Sequence, residues 1–190
     1  HIFIKHGLEY LLDNKINKSI SILEYGFGTG LNALLAMGFS FSKNIHIDYT
    51  GIEAYPISIS KVEALNYPKV AGLDYLKEEF YQMHIAGNSY KIEFGETFIF
   101  TKVLDKFENF KSEGKYDIIF YDVFGPESQP HLWERSFLDE VVEKIKPQGG
   151  ILITYGAKGS FKRALKSLGL AVENLPGPPG KREITRALKY

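Results

Sequence analysis

The stretch SISILEYGFGTG, residues 19–30, decides the fold. Residues 19–24 (SISILE) are rich in β-branched side chains, as a strand is, and run into Tyr25-Gly26-Phe27-Gly28-Thr29-Gly30. Residues 31–39 follow as a helix, so the unit is strand, glycine turn, helix. Glycines let the backbone pass close to a ligand, and the first turn of the helix offers unpaired N–H groups. The spacing is not that of a dinucleotide fingerprint. G-x-G-x-x-G counted from Gly26 needs a glycine at the sixth position, where Leu31 stands. The pattern is instead E-x-G-x-G-x-G, with Glu24 two residues ahead of Gly26. Taken alone, the motif also fits a turn that is glycine-rich by chance.

Working outward, Leu8, Leu11 and Leu12 have helical spacing, and residues 14–18 are polar enough for a turn. Residues 45–53 (IHIDYTGIE) read as a second strand, residues 58–66 as a helix ended before Pro68, and residues 72–83 as another helix. Residues 90–94 and 97–103 form a hairpin turning at Gly95-Glu96, with the second limb in the main sheet. Residues 116–121 (YDIIFY) are nearly all apolar, as a central strand covered on both faces must be. Gly125, Pro126 and Pro130 keep residues 122–133 a loop. A helix at 136–144, a strand at 151–155, a basic helix at 160–168 and strands at 170–174 and 183–188 complete the chain. Strands alternating with helices predict an α/β fold with a doubly wound, mostly parallel sheet. The last two strands are joined by Pro176-Gly177-Pro178-Pro179-Gly180, too short for a crossover, so the final strand is antiparallel. No repeat or linker divides the 190 residues, which predicts one domain.

Composition narrows the function. The absence of cysteine excludes thiolate zinc sites, Fe–S clusters, disulfides and thiol nucleophiles. His6, His46, His84 and His131 lack ligand spacing, so no metal is expected. The longest apolar run, residues 33–39, is broken by Gly38 and is far short of the ~18 residues of a membrane span. With no basic-then-apolar leader, the expectation is a cytoplasmic protein without a membrane partner. The chain opens on His1 rather than Met, so some N-terminal sequence is expected to be missing. The zero net charge hides an asymmetry: residues 1–150 carry a net −6 and residues 151–190 a net +6. Lys158, Lys162, Arg163, Lys166, Lys181, Arg182, Arg186 and Lys189 could form a patch that meets phosphates, or could be solvated strand ends and helix faces.

Ligands of open parallel sheets bind at the carboxyl ends of the strands. Besides the glycine turn, two strand ends carry acids there. Glu53 ends the second strand and suits two ribose hydroxyls; Asp122 ends the buried strand YDIIFY with Phe124 close by. A carboxylate at a buried strand end needs a partner. Phe124, Trp133 and Tyr155 lie near strand ends, where each could stack on a nucleobase or simply pack the loop; His131 lies in the same loop.

These features resemble class I S-adenosylmethionine-dependent methyltransferases. The rest of the chain narrows the resemblance to the methyltransferase domain of the MnmC enzymes, which complete the 5-methylaminomethyl group on the wobble uridine of certain tRNAs. The blocks are HIFIKHGL from His1, EYGFGTGLN from Glu24, GIEAYPIS from Gly51, YDVFGPESQPHLW from Tyr121, TYGAKGSFKRAL from Thr154 and GPPGKREITRA ending at Ala187. The resemblance implies a Rossmann-like fold and S-adenosyl-L-methionine as cofactor. Glu24, Gly26, Gly28, Gly30 and Asn32 would hold its methionine end, Glu53 its ribose and the region 103–105, with Asp105, its adenine. Asp122 would border the cofactor and act on the acceptor amine. Phe124, Pro126, Trp133 and Tyr155 would meet the uridine, and Lys162, Arg163, Lys181 and Arg182 the tRNA backbone. The flavin-dependent oxidase half of the bifunctional enzymes has no counterpart here, which implies a standalone form served by a separate oxidase.

Two rival readings share the fold. An aminopropyltransferase also joins an amine to a sulfonium-bearing cofactor, but has no need of a basic C-terminal segment. A non-catalytic RNA-binding module would bind tRNA whether or not the cofactor is present.

Overall fold

The computed structural model describes residues 1–14 and 19–190; of the turn expected at 14–18, residues 15–18 lie outside the described residues. A π-helical turn at Ile4–Glu9 leads into α1 (Tyr10–Asn14). Then follow β1 (Ser19–Tyr25), α2 (Leu31–Lys43), β2 (His46–Ile52), α3 (Ile59–Ala64), α4 (Tyr67–Val70) and α5 (Lys77–Ile85). The second half holds β3 (Lys91–Phe94), β4 (Phe98–Val103), β5 (Ile118–Tyr121), α6 (Arg135–Glu143), β6 (Gly150–Thr154), α7 (Gly159–Ser167), β7 (Ala171–Pro176) and β8 (Glu183–Lys189).

The strands form one sheet in the order β3-β4-β2-β1-β5-β6-β8-β7. β1 pairs in parallel with both β2 and β5, β2 with β4, and β5 with β6. The chain winds from β1 towards β4 and then returns to lay β5 on the other side of β1. Strand order therefore reverses between β1 and β5, which opens a crevice at their carboxyl ends. β8 lies antiparallel between β6 and β7, as its short turn requires.

Strand side chains alternate between two cores, as the period of two demands. Ile22, Tyr49, Phe100 and Phe120 face α2, α5 and the N-terminal helices; Leu23, Tyr25, Tyr121 and Leu152 face α6 and α7. The amphipathic spacing of α6 is read directly in its buried residues Phe137, Leu138, Val141 and Val142. Phe161 of α7 is 1% exposed and stacked on Tyr121 at 6.2 Å, so its truncation to Ala should cost about 3–5 kcal/mol.

Three elements depart from the sequence reading. The hairpin limb β3 joins the main sheet as its edge strand, antiparallel to β4. Pro68 does not merely end a helix but opens the separate turn α4, because a proline costs nothing in the first helical turn. The helix expected over 72–83 begins only at Lys77, after a 3₁₀ turn at Asp74–Leu76. Among the described residues no helix is long and apolar enough to cross a membrane.

Candidate active site

At the carboxyl ends of β1, β2, β4 and β5 lies a cavity of about 450 Å³, lined among others by Gly28, Asn32, Glu53, Tyr55, Asp122 and Phe124. A larger hollow of about 620 Å³ is walled only by residues 62–81 of the α3–α5 segment and touches no strand end.

The glycine turn folds over β1 in two steps. At Gly26 (φ 96°) a Cβ would stand 2.6 Å from the Asp122 carbonyl, so only glycine lets the ends of β1 and β5 come this close. At Gly28 (φ 52°) a Cβ would have 3.8 Å to its nearest neighbour, so a side chain there would be strained in its backbone and would enter the cavity. Gly30 lies buried behind the wall, against His84. His84 Nε2 lies 3.2 Å from the Thr29 carbonyl, and its ring sits between Phe27 and Phe80 at 5.0 and 4.9 Å. Burial pushes this imidazole down to about 4, so near neutral pH it is uncharged and can donate its Nε2–H to the turn. Below it, buried Lys102 donates its ammonium to the His84 carbonyl in the last turn of α5, where the helix carries partial negative charge.

Two of the acids on the wall stand at strand ends. Glu53 accepts the Gly28 N–H at 2.7 Å and the Tyr55 N–H at 2.8 Å, which tie the end of β2 to the glycine turn. Asp122 finds the partner its burial requires in Asn32, whose Nδ2 donates to Asp122 Oδ2 at 3.0 Å and to Glu24 Oε1 at 2.8 Å. Tyr49 donates its hydroxyl to the other Glu24 oxygen at 2.7 Å. Desolvation raises the proton affinity of Glu24 well above the usual carboxylate range, against the donors Tyr49 and Asn32. Asp122 shifts upward for the same reason, with Asn32 opposing. Glu24, fully buried, lies beneath the cavity rather than on its wall.

The loop after β5 is held from behind. Trp133 Nε1 donates to the Phe124 carbonyl at 2.8 Å, Tyr155 to the Val123 carbonyl at 2.7 Å, and Tyr121 to the Leu132 carbonyl. Trp133 and Tyr155 therefore shape the loop and do not line the cavity, nor does Pro126; Phe124 does, 72% exposed at its rim. His131 Nε2 meets Glu108 Oε1 at 2.7 Å, linking this loop to the segment after β4. Asp105 lies off the wall, accepting from the Lys106 N–H and the Asn109 amide, whereas its neighbours Lys106, Phe107 and Glu108 line it.

The basic segment is less free than its charge count implies. Lys158 pairs with Glu127, Lys162 with Glu183 and Arg186 with Glu173, while Lys189 donates to the Val142 carbonyl. Lys181 lies over the Tyr155 ring at 5.3 Å. Arg163, Lys166 and Arg182 are exposed and form no such ion pair among the described residues.

Sequence reasoning missed Tyr55, Phe27, Gln129 and Glu108 on the cavity wall. Tyr55, two residues beyond Glu53, could have been found by adjacency. Gln129 could not: its Oε1 is buried at the cavity without a partner among the described residues because of how the loop folds, which Trp133 and Tyr155 determine.

The arrangement fits an adenosine-bearing sulfonium cofactor. Gly28 leaves a cradle that a Cβ would fill, Glu53 offers acceptors at the strand end, and the orphaned Gln129 oxygen can take an N–H. No group of three or more His, Cys, Asp or Glu among the described residues could hold a metal ion.

Comparison with known proteins agrees with the geometry. Residues 68–190 match a family model described as S-adenosyl-L-methionine-dependent methyltransferase. The chain is similar to the tRNA 5-methylaminomethyl-2-thiouridine biosynthesis bifunctional protein MnmC of Leptospira interrogans serogroup Icterohaemorrhagiae serovar copenhageni, 30% identical over 97% of this chain and 30% of that protein. The MnmC protein of Acinetobacter baylyi is 30% identical over 99% of this chain and 32% of its own length. The chain thus spans about a third of these curated relatives. Among solved structures, MNMC2 from Aquifex aeolicus superposes with a TM-score of 0.68 at 23% identity, covering 93% of this chain and 55% of that one. CalS10 from Micromonospora echinaspora, an amino pentose methyltransferase, gives 0.54 at 11% identity over 96% and 88%. At these identities the structural likeness shows the fold.

Proposed function

The chain belongs to the S-adenosyl-L-methionine-dependent methyltransferase family, and from that membership we propose that it methylates the aminomethyl nitrogen of a modified wobble uridine in tRNA. The observation that carries the reading is Asp122, an acid at the end of a buried strand, on the cavity wall, with one oxygen held by Asn32. The names of the MnmC relatives support the choice of substrate.

When bound, the cofactor supplies an activated methyl on a sulfonium; the chain's own residues supply position and proton handling. Gly26, Gly28 and Asn32 would take its methionine end, Glu53 its ribose hydroxyls, and the wall from Lys106 to Glu108 its adenine. Alignment of the two reactants is worth up to ~7–11 kcal/mol in favourable cases. The acceptor must present a neutral nitrogen, and an amine of pKa about 10.4 is roughly one part in a thousand free base near pH 7. Asn32 holds Asp122 Oδ2, which leaves Oδ1, without a protein partner among the described residues, to accept an amine N–H. As an anion Asp122 favours the ammonium, while desolvation of the cavity favours the free amine. Burial strengthens Asp122 as a proton acceptor relative to an ordinary aspartate. Asp122 thus anchors the amine at Oδ1 and takes its proton there. Phe124, exposed at the rim, offers a face for the uridine base. Arg163, Lys181 and Arg182 meet the tRNA backbone.

The test is incubation of the protein and cofactor with tRNA carrying 5-aminomethyluridine, followed by mass spectrometry of the nucleosides. Appearance of 5-methylaminomethyluridine is expected. An unchanged nucleoside would overturn the reading, as would cofactor-independent tRNA binding without turnover.

A further inference from the structure

We infer that Tyr49 and Glu24, buried beneath the cavity, are positioning residues that act through the Asn32 amide to fix the Asp122 carboxylate. The inference rests on the proposed role of Asp122.

The chain of contacts is short and directional. Tyr49 Oη donates to Glu24 Oε2 at 2.7 Å, and Asn32 Nδ2 donates to Glu24 Oε1 at 2.8 Å and to Asp122 Oδ2 at 3.0 Å. A primary amide nitrogen carries two hydrogens, and both are committed. The opposite orientation of the amide would set its oxygen against two carboxyl oxygens, so the partners themselves decide which way Asn32 faces. The plane of the amide, and with it the direction of Asp122 Oδ2, is then set by a residue that never reaches the cavity.

A purely structural role explains this poorly. Glu24 is fully buried, and an apolar side chain of similar volume at the end of β1 would avoid the cost of desolvating a carboxyl. Its hydrogen-bond partners are Tyr49, which anchors it, and Asn32, which leads to Asp122. The contrast lies at the amino end of the same strands. Buried Asp117 of the strand run is held there by the Ser21 N–H and hydroxyl and by Lys146, far from the cavity, and ties β1 to β5. The groups that face Asp122 electrostatically are Glu24 and Tyr49 from below and Tyr155 from the β6 side, with Glu53 across the turn facing Glu24. Glu24 and Tyr49 reach it through a hydrogen-bonded route.

The decisive measurement is a double-mutant cycle on tRNA methylation under single-turnover conditions, with cofactor affinity read by calorimetry. Tyr49→Phe removes one hydrogen bond and keeps the ring; it should slow the chemical step about three- to tenfold and leave cofactor affinity within about twofold. In an Asp122→Asn background the same substitution should have no further effect, because its route to the reaction is gone. Glu24→Gln keeps an acceptor for Asn32 and should stay within about threefold of wild type, whereas Glu24→Leu should lose at least tenfold. A readout that needs neither cofactor nor turnover is exchange of the Asn32 side-chain amide protons, followed by NMR. It should be slow in the wild type and about tenfold faster in Tyr49→Phe. Equal effects of Tyr49→Phe with and without Asp122 would overturn the inference, as would unchanged Asn32 exchange. Should the wild type methylate no tRNA, the proposed function fails, and the exchange measurement alone decides whether the network fixes Asn32.

Discussion

The Gly28 N–H meets the Glu53 carboxylate at 2.7 Å, so the glycine turn and the end of β2 form one wall of the cavity. The turn is not a free loop awaiting a ligand; it is shaped by an acid that itself has acceptors to offer.

Gly28→Val should abolish S-adenosylmethionine binding while leaving the protein folded. The valine would stand in the cavity and hold a left-handed backbone at a cost of about 1–2 kcal/mol. Calorimetry on the folded variant checks this, and wild-type affinity would contradict the assignment.

Asp122→Asn keeps the shape of the side chain and removes its charge. Cofactor affinity should be largely retained and turnover reduced by ~10²–10⁴, the range for a positioned proton-transfer group. Full activity at saturating tRNA would remove Asp122 from the reaction.

Stability should depend on His84 between pH 6.5 and about 4. The folded state holds this imidazole neutral, while the unfolded chain protonates it from its ordinary 6.5 downward. The contribution is therefore complete above pH 6.5 and is lost as the pH falls towards 4. Chemical denaturation across that window should show the loss, and His84→Phe, which keeps a ring between Phe27 and Phe80, should flatten it.

Replacing Arg163, Lys181 and Arg182 with Ala should weaken tRNA binding and flatten its salt dependence by about two to three log–log units, at ~0.7–0.9 per phosphate contact. Lys162 is left out because Glu183 already pairs with it. Binding measured across a salt series decides; parallel lines for wild type and variant would make this charge mere solvated surface.

The strand–glycine–helix unit was legible because its chemistry is local: the β-branched residues of SISILE favour a strand, and the glycines mark where the chain must turn. The antiparallel end of the sheet was legible from the shortness of its turn. What stayed hidden depends on packing between distant segments. Nothing near Trp133 says that its indole will hold the Phe124 carbonyl rather than face a base. Tyr49 and Glu24 are equally silent, being neighbours across a sheet and not along the chain. The charge asymmetry was visible in the sequence, but its neutralisation by Glu127, Glu173 and Glu183 was not.

The interior position of β8 has a consequence for synthesis. On a ribosome β6 emerges before α7, β7 and the strand that will flank it, and until Glu183–Lys189 arrive one side of β6 has no partner in the sheet. Its five residues, GILIT, are all buried in the finished fold, so the nascent chain displays an apolar, unpaired edge that invites pairing with another copy. β7 does not shield it in the finished sheet, where among the described residues β7 pairs with β8 alone. A chain halted between Thr154 and Glu183 should accumulate as insoluble oligomers, whereas one that continues through the seven residues of β8 should stay soluble.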